Sequence, residues 1–231
     1  MAETALIVGA GRGLSAALAR LLAREGMDVA LAAREVDKLA ALAEETGARA
    51  HACDASRPQD VNALFEALGR DLGVPDLVVY NPSFRVQGPV AELDPAAVEK
   101  ALMVTCYGGF LVGQAAARRM LARGSGSIQF TGASASVKGY ANSAPFAMGK
   151  FGLRGLAQSM ARELAPKNIH VAHFVIDGGI LPPGGDTRAG APGEDDMLRP
   201  EAIAETYLHI HRQQRSAWTW EVELRPWAER F

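Results

Sequence analysis

Short apolar runs alternate with longer amphipathic stretches along almost the whole chain. Seven runs have the length and composition of buried strands, and the segments between them repeat apolar residues with a 3.6-residue period. Because strand–helix–strand units cross over with one handedness, the alternation predicts a doubly wound α/β fold with a seven-stranded parallel sheet flanked by helices. The predicted strands are Ala5–Val8, Val29–Ala32, Arg49–Cys53, Leu77–Tyr80, Ser127–Thr131, His170–Val175 and Thr219–Leu224.

Residues that start and stop helices fall between these runs. Asp94 and Pro95 predict a cap and a first helical turn, Pro58 opens another helix, and Gly26 and Gly47 follow helix ends. The 231 residues, 48% apolar and 22% charged, suit one globular domain spanning residues 1–231.

One segment breaks the alternation. Residues Leu181–Leu198 read LPPGGDTRAGAPGEDDML, which is rich in Pro, Gly and charge and has no periodicity. A loop of this length inside a compact domain is either a mobile lid over a substrate site or a disordered insertion, and the sequence favours neither.

Charge and cysteine content limit the kinds of partner and bound metal that the sequence predicts. A net charge of -2 without a dense basic stripe gives no reason to expect nucleic acid, so a small-molecule partner is expected. Cys53 and Cys106 are too isolated to predict a disulfide framework or a zinc site, and the histidines predict no metal site either. Without a signal-peptide pattern or an apolar run long enough for a bilayer, we expect a cytoplasmic protein that is not bound to a membrane.

The segment after the first strand has the features of a phosphate-binding turn. It contains Gly9, Gly11 and Gly13 and leads into a helix beginning near Leu14, whose free N–H groups and positive end suit a pyrophosphate. The spacing is G-x-x-x-G-[IL]-small and not G-x-G-x-x-G, because Leu14 and Ser15 follow the last glycine. A purely structural glycine turn is the alternative.

Two arginines favour NADP(H) over NAD(H). The second strand ends at Ala33 and Arg34. In an NAD-binding protein, an acidic residue at this place would accept a hydrogen bond from the ribose 2′-hydroxyl. Arg34 and Arg12 are suited to bind a 2′-phosphate by charge-assisted hydrogen bonds. Glu35 and Asp28 remain alternatives that would serve a hydroxyl.

Several motifs in order resemble those of the short-chain dehydrogenases/reductases, over nearly the full length. They are GAGRGLS, CDAS at 53–56, YNPS at 80–83 and DGGI at 177–180. The resemblance implies a Rossmann-like domain in which Asp54 binds the adenine edge and Asn81 supports the fourth strand and the cofactor. It also implies that Gly178 and Ile180 lie in the nicotinamide loop, where Asp177 replaces the usual Pro.

The same resemblance locates the catalytic region. The family signature Y-x-x-x-K corresponds to FAMGK, so Phe146 occupies the tyrosine position while Lys150 is kept for the nicotinamide ribose. A phenyl ring has no proton to give, whereas a phenol beside an ammonium works as an acid and base. The family's catalytic asparagine and serine correspond to Thr105 and Ala133.

Other residues are candidates to supply the missing proton. Tyr140 lies on the segment before Phe146, and a water held by Ser134 or Thr105 is the second source. Each of these residues has an ordinary alternative role in a turn, a cap or side-chain packing.

Two function hypotheses follow. The first is an atypical NADP(H)-dependent oxidoreductase acting on a small carbonyl, alcohol or enone. The second is a catalytically silent NADP(H)-binding sensor or scaffold. A cofactor-free lyase or dehalogenase ranks last, because such relatives lose the glycine turn and keep the tyrosine. The resemblance also implies a homodimer or homotetramer.

Overall fold

A seven-stranded parallel sheet forms the centre of the protein. The computed structural model describes residues 2–185 and 196–228. The strands are β1 (Thr4–Val8), β2 (Asp28–Ala33), β3 (Arg49–Ala52), β4 (Leu77–Tyr80), β5 (Gly126–Thr131), β6 (Ile169–Ile176) and β7 (Glu221–Leu224). All six neighbouring pairs are parallel, as the sequence predicts, and their order across the sheet is β3-β2-β1-β4-β5-β6-β7.

Helices cover both faces of this sheet. Successive side chains of a strand point to opposite faces, so that Ile7 packs beneath one helical layer and Leu6 beneath the other. One layer contains α1 (Leu14–Arg24), α2 (Ala40–Thr46) and α7 (Pro200–His211). The other contains α3 (Pro58–Asp71), α5 (Gly108–Arg123) and α6 (Ala144–Leu164), with α4 (Pro95–Leu102) preceding α5.

The predicted helix ends are confirmed by hydrogen bonds and backbone angles. The Asp94 carboxylate accepts a hydrogen bond from the backbone N–H of Ala96 at 3.1 Å, and Pro95 and Pro58 are the first residues of their helices. Gly47 ends α2 with a left-handed φ of 68°, a conformation that glycine adopts at low cost.

The last strand is shorter than predicted. Thr219 donates its backbone N–H to Gln213 Oε1 at 2.8 Å and therefore lies outside the strand ladder, which begins at Glu221. Trp218 also precedes the strand and stacks on the His170 ring at 4.6 Å between centroids. The alternating pattern of this segment thus reflects packing as well as pairing.

Only the two ends of the predicted loop Leu181–Leu198 can be described. A bridge between Ile180 and Leu198 brings these ends together, and Leu181 N–H donates to Leu198 O at 2.9 Å. Residues 186–195 lie outside the described residues.

A π-helical segment, Met103–Tyr107, joins α4 to α5. Such segments are rare and frequently occur at functional sites. The continuous stretch Pro95–Arg123 is the one helix in the described part of the chain that is long and apolar enough to cross a membrane; 33% of its most apolar window is buried.

Candidate functional site

The glycine turn after β1 lies where the strand order reverses, between β1 and β4. Gly9 has φ +79°, and a Cβ there would fall 2.7 Å from Pro82. Both the backbone conformation and the lack of space therefore require glycine at this position. A Cβ at Gly11 or Gly13 would meet no atom within 4 Å, and no side chain caps α1 at Gly13. The first N–H groups of α1 therefore face an open space, which fits a pyrophosphate.

A cavity of about 460 Å³ extends from this turn along the carboxyl ends of β2, β3 and β4. Ligands of open α/β sheets bind at this kind of switch point. It brings together most of the predicted cofactor residues: Gly9, Gly11, Arg12, Arg34, Asp54 and Asn81.

Three cations line this cavity. Arg12 and Arg34 are both exposed, and Lys38, which the sequence reasoning missed, is the third. Glu35 also lines the cavity but is paired with Lys38 at 2.6 Å between Nζ and Oε2. Asp28 begins β2 and so lies at the opposite end of that strand, which removes it as a partner for a ribose hydroxyl.

Asp54 is held in a fixed position at the end of β3. Its Oδ1 accepts hydrogen bonds from the Ser56 backbone N–H at 3.0 Å and the Ser56 hydroxyl at 2.6 Å. Burial raises the pKa of Asp54, but the Ser56 hydrogen bonds and the charges of Arg34 and Arg57 outweigh burial and leave that pKa below its usual value. The group is an ionised acceptor at neutral pH.

Asn81 connects β4 to the glycine turn. Its Nδ2 donates to Ser15 Oγ at 2.8 Å, and Ser15 Oγ donates to Gly9 O at 3.2 Å. A second cavity of about 340 Å³ adjoins the first and is lined by Gly13, Leu14 and Ile180 among others. Gly178 lines neither of these cavities; it packs against Pro226, which a Cβ would approach within 2.7 Å.

Lys150 is a buried cation on α6. Its side chain is 3% exposed, and Nζ donates to Thr131 O at 2.7 Å. Burial lowers the pKa of Lys150 to about 7, and the positive charge of Arg85 adds to this shift. A buried amine with a lowered pKa at the carboxyl end of β5 is consistent with a functional site.

Phe146 lies one helical turn before Lys150 and is almost fully buried. The centroid of its ring is 5.8 Å from Lys150 Nζ and 4.3 Å from Arg85 Cζ, so that two cations flank one ring.

Thr105, in the π-helical segment, packs against α6, where a Cβ at Gly149 would fall 2.9 Å from it. Its hydroxyl accepts a hydrogen bond from the Phe84 N–H at 3.2 Å.

The two remaining predicted residues lie between β5 and α6. Ser134 starts a short 3₁₀ turn ending at Ser136 and is half-buried; within residues 2–185 and 196–228 its hydroxyl makes no hydrogen bond. The Tyr140 side chain is 47% exposed. The roles proposed for both in proton transfer stay predictions.

A buried hydrogen-bonded chain lies beneath this turn, and the sequence reasoning missed it. Ser136 Oγ accepts from the Ala133 N–H at 3.1 Å and lies 3.3 Å from His173 Nε2. His173 Nδ1 lies 3.1 Å from Glu221 Oε2, and Glu221 accepts two hydrogen bonds from Arg154 at 2.6 and 2.7 Å. This series of hydrogen bonds connects the turn after β5 to α6, β6 and β7.

His173 makes the stability of the protein sensitive to acid. Burial lowers the pKa of His173 from 6.5 to about 4, although Glu221 opposes the shift. The unfolded chain therefore binds a proton more readily than the folded one, and the stabilising effect, complete above pH 6.5, is lost as pH falls towards 4.

We expect the free energy of unfolding to drop by about 3 kcal/mol over this range because of His173. Urea titrations at several pH values would measure it. His173→Gln should flatten the pH dependence, although His170 and His211, whose pKa values are also lowered, keep part of it. Parallel curves for both proteins would contradict the assignment.

Asp177, at the position in DGGI where Pro was expected, forms two ion pairs. The carboxylate is buried at the end of β6, with Lys138 Nζ at 3.4 Å and Arg225 Nη2 at 3.1 Å from Oδ2. A buried charge requires such partners. Asp177 thus connects the segment before α6 to the segment after β7.

The family model described as short chain dehydrogenase matches residues 3–183. The chain belongs to the short-chain dehydrogenase family. The match covers the strands and helices that build both cavities, and the seven-stranded parallel sheet confirms the Rossmann-like fold predicted from the sequence.

Curated relatives are reductases and dehydrogenases. The chain is 30% identical over 173 residues to a 3-oxoacyl-[acyl-carrier-protein] reductase of Homo sapiens, covering 74% of this chain and 73% of the relative. It is 31% identical over 226 residues to a cis-4-hydroxycyclohexanecarboxylate dehydrogenase of Sinomonas cyclohexanicum, covering 90% and 88%.

Solved structures give the same result. A short-chain dehydrogenase from Rhodopseudomonas palustris is 38% identical, with a TM-score of 0.84 and coverage of 97% of this chain and 99% of that one. An alcohol dehydrogenase from Thermococcus sibiricus, complexed with 5-hydroxy-NADP, is 25% identical with a TM-score of 0.86 and coverage of 100% and 99%. A metagenomic short-chain oxidoreductase in complex with NADP is 28% identical, with a TM-score of 0.85 and 98% coverage of each chain.

Proposed function

We propose that the protein is an NADP(H)-dependent oxidoreductase acting on a small carbonyl, alcohol or enone. The observation that carries this proposal is the open glycine turn at the sheet switch point, with buried Lys150 at the end of the neighbouring strand β5. The names of the relatives, which are reductases and dehydrogenases, support the reaction class.

The cations of the large cavity support NADP(H) over NAD(H). Arg12 and Arg34 bring positive charge to the end of β2, while Lys38 is paired with Glu35 and so removes that carboxylate as a partner for a ribose hydroxyl. Two of the structurally similar proteins were solved with NADP or a derivative of it. When bound, this cofactor would give a hydride to the substrate or take one from it.

The residues of the chain have separable roles in this proposal. The N–H groups at the start of α1 would hold the pyrophosphate, Asp54 the adenine edge and Arg34 the 2′-phosphate. Lys150 would donate a hydrogen bond to the nicotinamide ribose, with Gly178 and Ile180 in the nicotinamide loop.

The proton would come from a group other than residue 146. We propose that Phe146 occupies the position of the family's catalytic tyrosine, where its ring excludes water but holds no proton. The candidate sources remain Tyr140 and a water held by Ser134 or Thr105. Reduction of an enone would depend least on any of them, because solvent can protonate the carbanion formed after hydride addition.

A two-stage experiment tests the proposal. NADPH and NADH are first titrated against the protein by fluorescence and by melting shift, and a panel of carbonyls, alcohols and enones is then offered while nicotinamide absorbance is followed. We expect tighter binding of NADPH and turnover of at least one compound. If neither nucleotide binds, the proposal is wrong.

The second candidate function is a catalytically silent NADP(H)-binding protein. The observation that favours it is the packing of Arg85 over Phe146. A ring that cannot ionise, covered by a guanidinium, thus occupies the site expected for acid–base chemistry. Tight NADPH binding without turnover of any compound in the panel would support this alternative over the first.

We also propose a homodimer or homotetramer in the cytoplasm, not bound to a membrane. The support is a set of exposed apolar side chains on α5, α6 and the adjoining π-helical segment, called the strip below: Tyr107 and Phe110, whose rings stack on each other, and Met148 and Phe151 on α6. Scattered exposed apolar residues are ordinary, whereas contiguous ones mark interfaces. Both cysteines are free thiols, which fits a reducing compartment.

A charge in this strip should prevent self-association. We expect the wild type to have two or four times the mass of one chain by light scattering, and Phe151→Glu to shift it towards one chain. Val90→Glu, at a position that is 79% exposed and off the strip, is the matched control. A monomeric wild type would contradict this proposal.

A further inference from the structure

Arg85 is held over the ring of Phe146 by a segment anchored on both sides. Its Cζ is 4.3 Å from the ring centroid, while Arg85 as a whole is exposed. The preceding residue, Phe84, donates its N–H to Thr105 Oγ1, and Gly88 donates its N–H to Asn142 O at 3.0 Å. The position of Arg85 is thus set by the fold on either side of it.

The Arg85 guanidinium, like those of Arg12 and Arg34, forms no ion pair in the described part of the chain. Within residues 2–185 and 196–228, no carboxylate lies within 4.0 Å of the Arg85 guanidinium. By contrast, Arg20, Arg123, Arg154 and Arg212 are each paired with a carboxylate.

The surroundings of Arg85 are also positively charged. Lys150 flanks the same phenyl ring, and the charge of Arg85 contributes to the lowered pKa of Lys150. The buried acid Asp177, at the end of β6, is neutralised by Lys138 and Arg225 and offers no free charge. Among the described residues, the Arg85 guanidinium beside Phe146 is therefore left without a protein counter-charge.

We propose that Arg85 is a specificity-determining residue that binds a carboxylate on the substrate. The inference rests on the proposed oxidoreductase function and names its substrate class, which is a small carbonyl or alcohol bearing a carboxylate. A guanidinium with one face on an aromatic ring keeps its in-plane N–H groups for a second partner, and its planar fork matches a carboxylate in two parallel hydrogen bonds.

A pair of compounds that differ only in charge tests the proposal. 4-(Hydroxymethyl)benzoate and its methyl ester are titrated calorimetrically into the NADPH-loaded protein, where an alcohol and a reduced cofactor cannot react. We expect the acid to bind about 10- to 100-fold more tightly than the ester, as for a hydrogen bond between charged groups.

Variants of Arg85 identify the group responsible. Arg85→Gln should remove the preference for the acid and leave ester binding unchanged, and Arg85→Lys should keep part of it because the charge remains. Arg70→Gln, which removes the charge of another exposed arginine, on α3, is the matched control. Melting curves confirm that each variant is folded.

Several outcomes would overturn the proposal: equal binding of acid and ester, binding of neither, or equal weakening of both by Arg85→Gln. The last result would mean that Arg85 serves only to pack on Phe146. Turnover of 4-formylbenzoate and its methyl ester provides the second measurement, in which Arg85→Gln should raise KM for the acid alone.

The design separates this inference from the function on which it rests. Arg85-dependent binding of the acid without any turnover would leave the carboxylate site standing and the oxidoreductase proposal wrong. Equal turnover of the acid and the ester would support the oxidoreductase proposal and show that the carboxylate site is wrong. If NADPH does not bind, the same acid–ester comparison on the cofactor-free protein decides the inference.

Discussion

Phe146→Tyr is expected to raise the rate of carbonyl reduction by about 10²–10⁴, the usual contribution of a positioned acid or base. The added hydroxyl would lie on the same helix face as Lys150, one turn away. An ammonium close to a phenol favours the phenolate and so brings the pKa of the phenol towards the working pH. The gain should appear in kcat, because the wild-type ring already fills the site and binding changes little.

The matched control for this variant is Phe151→Tyr. It makes the same chemical change on the same helix, but at a side chain that is 45% exposed, and it should leave kcat unchanged. Steady-state rates with NADPH and a fixed aldehyde provide the measurement. If Phe146→Tyr is folded, binds NADPH as the wild type does and is no faster, then residue 146 does not occupy the proton-transfer position.

The second large effect is expected at the end of β2. Arg34→Ala should weaken NADPH binding about 10- to 100-fold, because each charge-assisted hydrogen bond to a phosphate contributes about 1.5–3 kcal/mol. NADH lacks the 2′-phosphate, so its affinity should hardly change. Combining Arg34→Ala with Arg12→Ala should bring the two affinities close together.

Fluorescence titration of both nucleotides would measure these affinities, at two salt concentrations since exposed charges are screened. Arg70→Ala removes a surface arginine elsewhere and serves as the control. Equal losses for NADPH and NADH would show that Arg34 contacts a part of the cofactor common to both. An unchanged NADPH affinity would remove the arginine from the site.

The parts of the candidate site whose position in the fold the sequence predicts are those encoded by contiguous residues. The turn from Gly9 to Gly13 and the pair Phe146 and Lys150 are each set by a strand or helix whose period is visible in the chain. The fold follows for the same reason, since each strand–helix unit is local and handedness allows one arrangement. Strand ends are less certain, as β7 shows, because a side chain such as Gln213 competes for the backbone.

What could not be predicted depends on residues brought together from distant segments. The contact of Arg85 with Phe146 joins the end of β4 to α6, and no local pattern marks either residue as a partner of the other. The chain from Ser136 through His173 to Glu221 and Arg154 draws on four elements or turns. Buried polar residues within strands are the one signal that points to such chains, since a buried imidazole needs partners.

The close approach of Gly9 to Pro82 has a consequence for redesign of this protein. The phosphate turn and the segment carrying Arg85 share one wall, because Pro82 touches the turn and Arg85 follows three residues later. With the functions proposed above for the turn and for Arg85, we expect a change within the turn to disturb nucleotide and substrate recognition together. Arg34 lies at the end of a different strand, so we expect a change there to alter nucleotide preference and leave the choice of substrate alone.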